Sequence, residues 1–304
     1  MISPTENPPP VRPGDRVGVA ALSGPVAPER LAAGVAALQA LGYQPVLARN
    51  LESRTRLFAG DDAERLAAFH ELIADPTLRA VFFARGGHGL LRVLPDLDWK
   101  LIAARPRAWV GYSDVTPLLL QIVQRLGLTT FHGPMVGVEM ARGLGGEEIA
   151  SLQAALTGRR QQIPFAGRLR RGEGEGVLLG GCLSMLTATL GTPFFPDLDG
   201  SFLFWEDTNE PHYRIDRMLT HLRVSGSLRG VKGMIVGSCG CSDSTPEEEA
   251  AEAAWLASAA EIASGLPGPS IWGLPAGHDA AINWTLPLGR PARIAADTPH
   301  LFVG

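Results

Sequence analysis

The sequence predicts an α/β protein in which a parallel sheet flanked by helices is followed by a second domain. Two observations predict it. Over the first 156 residues short, continuously apolar runs alternate with stretches of helical periodicity, the pattern of strands buried on both faces beneath helices. From residue 157 to 181 that alternation breaks into a segment rich in Arg, Gln and Gly, which reads as a linker and the first strands of a second domain. A chain of 304 residues can bury one large core or two modest ones, and two is the better fit. The expected division is residues 1–160 for the N-terminal domain, 161–174 for a linker and 175–304 for the C-terminal domain.

Taken in order, residues 16–22 (RVGVAAL) read as a buried strand, and residues 28–41 carry alanine and leucine at helical spacing, closed by Gly42. Residues 43–48 read as a second strand. Residues 61–74 return to helical periodicity and stop before Pro76, and Asp61 and Asp62 suit the positive end of that helix. Residues 79–84 (RAVFFA) form an aromatic and β-branched strand bounded by Arg85-Gly86-Gly87. A strand at 108–111, a helix over about 114–126, a strand at 129–132 and a helix near 146–156 complete the alternation. Beyond the break come a helix near 183–190, a strand at 202–206, a helix near 213–224 and a strand at 234–236. Thr245, Pro246 and Glu248 then open an alanine-rich helix to about 262. Short strands are expected around 270–272, 281–284 and 292–295.

Composition excludes several classes. A net charge of −4, with scattered basic residues, offers no field for a phosphate backbone, so nucleic acid is not an expected partner. The three cysteines, Cys182, Cys239 and Cys241, are too few for a disulfide framework and suit a reducing compartment. The proline-rich start lacks the pattern of a signal peptide, and no apolar run approaches the ~20 residues of a membrane span. The expectation is a soluble, cytoplasmic protein.

Four places could carry chemistry. Gly111-Tyr112-Ser113-Asp114 lies where a buried strand meets a helix; a serine on such a turn projects its hydroxyl from the sheet, and the Asp114 N–H can face an oxyanion. Val115 breaks the full G-x-S-x-G pattern, and a plain helix cap is the competing reading. Arg85-Gly86-Gly87-His88-Gly89 follows another strand; it fits half of an oxyanion hole or an ordinary glycine turn, and it matches no nucleotide-binding pattern. Glu206 ends the strand FLFW, and His278 stands in PAGHD after a further strand; a solvated carboxylate and a turn histidine are the competing readings. A serine needs a base, and an imidazole base needs a carboxylate on its other nitrogen. Ser113, His278 and Glu206 fill those roles. No metal or other cofactor is expected, because Cys239 and Cys241 have no second cysteine pair and His212 and His221 lack the i, i+4 spacing of a helical zinc site.

Taken together, these segments resemble the LD-carboxypeptidase family of serine peptidases, which includes the microcin-C immunity peptidases. The resemblance runs over nearly the whole chain, through residues 84–99 (ARGGHGLLRVLPDLDW), 111–120 (GYSDVTPLLL), 131–135 (FHGPM), 180–193 (GGCLSMLTATLGTP), 203–219 (LFWEDTNEPHYRIDRML) and 273–289 (GLPAGHDAAINWTLPLG). It implies a smaller, mostly β C-terminal domain with helices and a triad assembled across the cleft, with Ser113 as nucleophile, His278 as base and Glu206 as acid. It further implies oxyanion donors at the N–H groups of Gly87 and Asp114, a homodimer, and a murein tetrapeptide substrate cut before its terminal D-alanine during cell-wall turnover. The alternative within the family is cleavage of acyl-nucleotide amides, which would call for an aromatic residue to stack on the base; residues 237–246 offer none, which favours the murein substrate. A terminal carboxylate calls for a cation, and Arg85, Arg214 and Arg217 are candidates, with His88 as a further substrate contact. His88 departs from the family's usual aromatic, and Cys182 from its usual asparagine.

Overall fold

The computed structural model describes residues 3–239 and 246–304, apart from the side chains of 246–252. The N-terminal part contains β1 (Arg16–Ala20), α1 (Pro28–Ala40), β2 (Gln44–Leu47), α2 (Asp62–Ala74), β3 (Leu78–Phe83), the short helices α3 (Leu90–Val93) and α4 (Trp99–Ala103), β4 (Ala108–Gly111), α5 (Thr116–Leu126), β5 (Thr130–His132) and α6 (Gly146–Leu156). Between β5 and α6 the chain forms a short π-helical segment, Val136–Met140, which periodicity did not reveal. Local chemistry accounts for several boundaries. Asp61 caps α2 by accepting a hydrogen bond from the Glu64 N–H, and α5 has Pro117 in its first turn and ends at Gly127 in the left-handed region.

The second part contains β6 (Gln161–Pro164), β7 (Gly167–Arg170), β8 (Gly174–Cys182), α7 (Leu183–Ala188), β9 (Ser201–Asp207), α8 (His212–Val224), β10 (Gly233–Cys239), α9 (Pro246–Ser264), β11 (Ser270–Trp272), β12 (Leu286–Leu288), β13 (Pro291–Ile294) and β14 (His300–Val303). Thr245, expected to cap α9, lies outside the described residues, as does Cys241.

Two sheets result, in the orders β12-β5-β4-β3-β1-β2 and β6-β14-β13-β8-β9-β10-β11-β7. The first is parallel from β2 through β5 and takes β12 as an antiparallel edge, with Leu286 opposite His132. The second is mixed, with β8, β9, β10 and β11 parallel at its centre. The first eight residues of α5 are all buried, as befits a helix that packs on β5 of one sheet and β8 of the other. The ends of β4 and β9 therefore face a common space.

Two sequence expectations need correction. The stretch 161–174, read as a linker, holds β6 and β7 and joins both edges of the second sheet; Gln161 and Ile163 point inward in alternation with exposed neighbours, a two-residue period too short to stand out among polar letters. The strand expected at 281–284 lies instead at β12. Residues 283 and 284 spend their backbone N–H groups on Glu148 and on the Pro275 carbonyl, so they hold a loop rather than a ladder. Among the described residues no helix is long and apolar enough to cross a membrane.

Candidate active site

Ser113 sits immediately after β4 at φ 64, a left-handed conformation that costs a non-glycine residue on the order of 1–3 kcal/mol and recurs at functional turns. A Cβ on Gly86 would come 2.6 Å from the Ser113 Cβ and 3.3 Å from the Asp114 nitrogen, so the Gly86–Gly87 peptide lies directly against the serine. That glycine loop is tied down by Gly24, whose N–H donates to the Gly86 carbonyl at 3.1 Å. The Leu90 N–H donates to Asp114 Oδ2 at 2.9 Å. Gly87 and Asp114, expected as oxyanion donors, thus flank Ser113.

From the other sheet, β9 carries Glu206 to its carboxyl end, where the side chain is fully buried. His278 projects from the loop before β12. Its Nδ1 lies 2.7 Å from Glu206 Oε2, and its Nε2 lies 2.9 Å from Ser113 Oγ. The His278 N–H also donates to Glu206 Oε2 at 3.0 Å. The three side chains, far apart in sequence, form one hydrogen-bonded chain in the order serine, histidine, glutamate.

Burial alone would lower the His278 pKa, but the Glu206 carboxylate outweighs it and the net shift is upward. Burial likewise opposes ionisation of Glu206, and the imidazole beside it prevails, leaving its pKa low. Asp207, next along β9, is pushed up to about 6 by burial and by Glu206. His132, fully buried beside Tyr112 and Phe204, is driven down to about 4 by burial and stays uncharged at neutral pH.

A family model for the LD-carboxypeptidase N-terminal domain matches residues 17–133, and one for the LD-carboxypeptidase C-terminal domain matches residues 175–294. The chain belongs to the LD-carboxypeptidase family. It is 34% identical to the murein tetrapeptide carboxypeptidase of Pseudomonas aeruginosa over 297 residues, which cover 91% of this chain and 92% of that one. It is 27% identical to the microcin C7 self-immunity protein of Escherichia coli, over 97% of this chain and 94% of that protein. The crystal structure of muramoyltetrapeptide carboxypeptidase from Oxalobacter formigenes matches with a TM-score of 0.83 at 28% identity, covering 95% of this chain and 97% of that one.

Within this member of the family the remaining candidates separate. Arg85 adjoins the glycine loop, is exposed, and donates from Nη1 to the Pro25 carbonyl at 3.2 Å. The His88 ring lies against Phe58 with centroids 5.7 Å apart. Arg214 is paired with Glu210 at 3.3 Å, and the Arg217 guanidinium sits over the Tyr213 ring; both belong to α8, and neither contact reaches the serine. Cys182 is buried opposite Glu206 in the β8–β9 register, with Sγ 3.2 Å from Ser184 Oγ.

Sequence reasoning passed over Arg65, a fully buried arginine on α2. Its Nη1 donates to the Leu22 carbonyl and, at 2.9 Å, to the Gly89 carbonyl, which ties the glycine loop to the end of β1. The readable signal was its position: residues 65, 68, 69, 72 and 73 form the buried stripe of α2, and a charge in an apolar stripe needs a partner. The absence of an aromatic from residues 237–246 does not extend to the space around them. Residues 240–245 lie outside the described ones, and a cavity of about 360 Å³ beside the His278 loop is lined by Trp255 of α9 and Trp272 of β11. The missing aromatic in that loop therefore does not discriminate between substrates.

Proposed function

We propose that this protein is a serine-type LD-carboxypeptidase that releases the terminal D-alanine from murein tetrapeptides in cytoplasmic peptidoglycan recycling. The observation that carries the reading is the two-sided engagement of His278, 2.9 Å from Ser113 Oγ and 2.7 Å from Glu206 Oε2. His278 takes the Ser113 proton as Oγ attacks the carbonyl carbon of the L-centre, while Glu206 stabilises the imidazolium and fixes the ring. The N–H groups of Gly87 and Asp114 receive the oxyanion. The imidazolium then protonates the leaving amine of D-alanine, and water, activated by the same histidine, hydrolyses the acyl-enzyme. Arg85, beside the glycine loop, is the best-supported cation for the terminal carboxylate. The relative of Pseudomonas aeruginosa named for this substrate supports the assignment.

The test is D-alanine release from L-Ala-γ-D-Glu-meso-diaminopimelyl-D-Ala, comparing wild type with Ser113→Ala, Glu206→Ala and His278→Ala. Wild type should release D-alanine, and the Ser113 and His278 variants should fall by about 10⁴-fold or more. Release that persists in Ser113→Ala would sink the nucleophile assignment. A second reading, hydrolysis of an amide joining an acyl group to a nucleotide analogue, is favoured by Trp255 and Trp272 at the cavity beside the histidine loop, where a base could stack. Turnover of an aminoacyl sulfamoyl nucleoside with no D-alanine release would select it. The homodimer expectation belongs to the same proposal and is read by light scattering.

A further inference from the structure

Behind His278 lies a buried polar network that the proposed chemistry does not use. Glu139, on the π-helical segment, is almost fully buried and accepts three hydrogen bonds. Its Oε1 receives the Tyr112 hydroxyl at 2.6 Å and Asn283 Nδ2 at 3.4 Å, and its Oε2 receives the Met135 N–H at 3.0 Å. No cation contacts it directly among the described residues. A carboxylate held this way, without a cation in contact, is expensive to bury. Its partners point to another use.

Two of the three donors lead to His278. The Tyr112 ring meets the imidazole edge-on with centroids 4.7 Å apart, and Tyr112 is the residue before the serine. Asn283 Oδ1 accepts the Gly277 N–H at 3.1 Å, and Gly277 is the residue before the histidine. Asn283 is held a second time, its own N–H donating to Glu148 Oε1 at 3.0 Å, while Glu148 is paired with Arg142 at 2.6 Å. Tyr112, Asn283 and Glu148 are all buried. One carboxylate thus fastens both the ring that bears on the imidazole and the amide that braces its loop, and it joins the neighbour of the serine to the neighbour of the histidine across the two sheets.

We propose that Glu139 is a positioning residue for His278, holding the imidazole in line with Ser113 through Tyr112 and Asn283. This rests on the serine–histidine reading above and deepens it. The group itself touches neither substrate nor reacting atom. Its effect should appear in the chemical step and not in binding, because a misplacement of about 1 Å at a catalytic group can cost roughly 10²-fold.

The experiment follows the rate of Ser113 labelling by a fluorophosphonate, which needs an activated serine but no murein substrate, in wild type, Glu139→Leu and Glu139→Gln. It adds kcat and KM for D-alanine release and the proton NMR signal of His278 Nδ1–H. Glu139→Leu should label about 10- to 100-fold more slowly, lose kcat by a similar factor at nearly unchanged KM, and shift or broaden the Nδ1–H signal. Glu139→Gln keeps an acceptor for Tyr112 and Asn283 and should stay within about fivefold of wild type. A folded Glu139→Leu that labels at the wild-type rate with an unmoved Nδ1–H signal overturns the proposal while leaving the serine assignment intact. If Glu139→Leu does not fold, Asn283→Ala replaces it, and a wild-type labelling rate there counts equally against the proposal. A wild type that is not labelled at all strikes the serine reading itself.

Discussion

The two sides of the site are built from different materials. The serine side is made mostly of backbone: Ser113 on its left-handed turn, the Gly86–Gly87 peptide pressed against it, and Gly24 bonded to Gly86. Two buried side chains tie it down, Arg65 on the carbonyls of Leu22 and Gly89 and Asp114 on the Leu90 N–H. The histidine side rests on buried side chains: Glu206 holds His278, Glu139 holds the Asn283 side chain, and Glu148 accepts the Asn283 N–H. Backbone construction leaves little to titrate but no room for a Cβ. Side-chain construction tolerates changes of shape and makes the base sensitive to charge.

Among changes that leave the triad side chains in place, the largest expected effect comes from giving the histidine side the serine side's weakness. Gly277 has φ +121, and a Cβ there would lie 2.6 Å from Glu206 Oε2. Gly277→Ala should reduce kcat by about 10²-fold and lower stability by about 1–3 kcal/mol, read by steady-state kinetics and urea denaturation; near-wild-type kcat would show that the loop yields without moving the imidazole. Next is Arg65→Met, which strips donors from the carbonyls of Leu22 and Gly89. It should cost about 1–3 kcal/mol of stability and about tenfold in kcat/KM through a loosened glycine loop, and loss of stability without loss of rate would separate the arginine from the oxyanion loop. The smallest effect is in pH. The base must be neutral to act, and His278 has its pKa raised above the ordinary 6.5, so the acid limb of kcat/KM should have its midpoint above that value. Glu206→Gln removes the charge that outweighs burial, and in its residual activity the midpoint should move down. The linkage runs the same way: the raised pKa contributes stability that is fully present below about 6.5 and is lost as pH rises through the folded value.

The contrast also explains what could be read in advance. Ser113, Glu206 and His278 could be picked out as candidates because each ends or follows an apolar run, where loops of α/β proteins carry chemistry; that two different sheets bring them together is visible only in the fold. Glu139 and Asn283 could not be, because a buried carboxylate inside FHGPMVGVEM carries no periodicity and its side-chain partners, Tyr112 and Asn283, lie far along the chain. Arg65 could have been found from its place in the apolar stripe of α2. Residues 161–174 misled for a different reason: polar letters such as Gln161 and the arginines of β7 conceal edge strands, and only the partners β14 and β11 make them strands at all.

The pairing of β12 with β5 has a further consequence. Leu286–Leu288 covers what would otherwise be the open edge of the first sheet, only two strands from Ser113. A fragment ending near residue 160 would present unpaired N–H and C=O groups along β5, a template for pairing with other chains. The N-terminal half is therefore not a self-sufficient module, and recombining it with the other half of a relative would have to carry β12 and the edge it seals as a single graft.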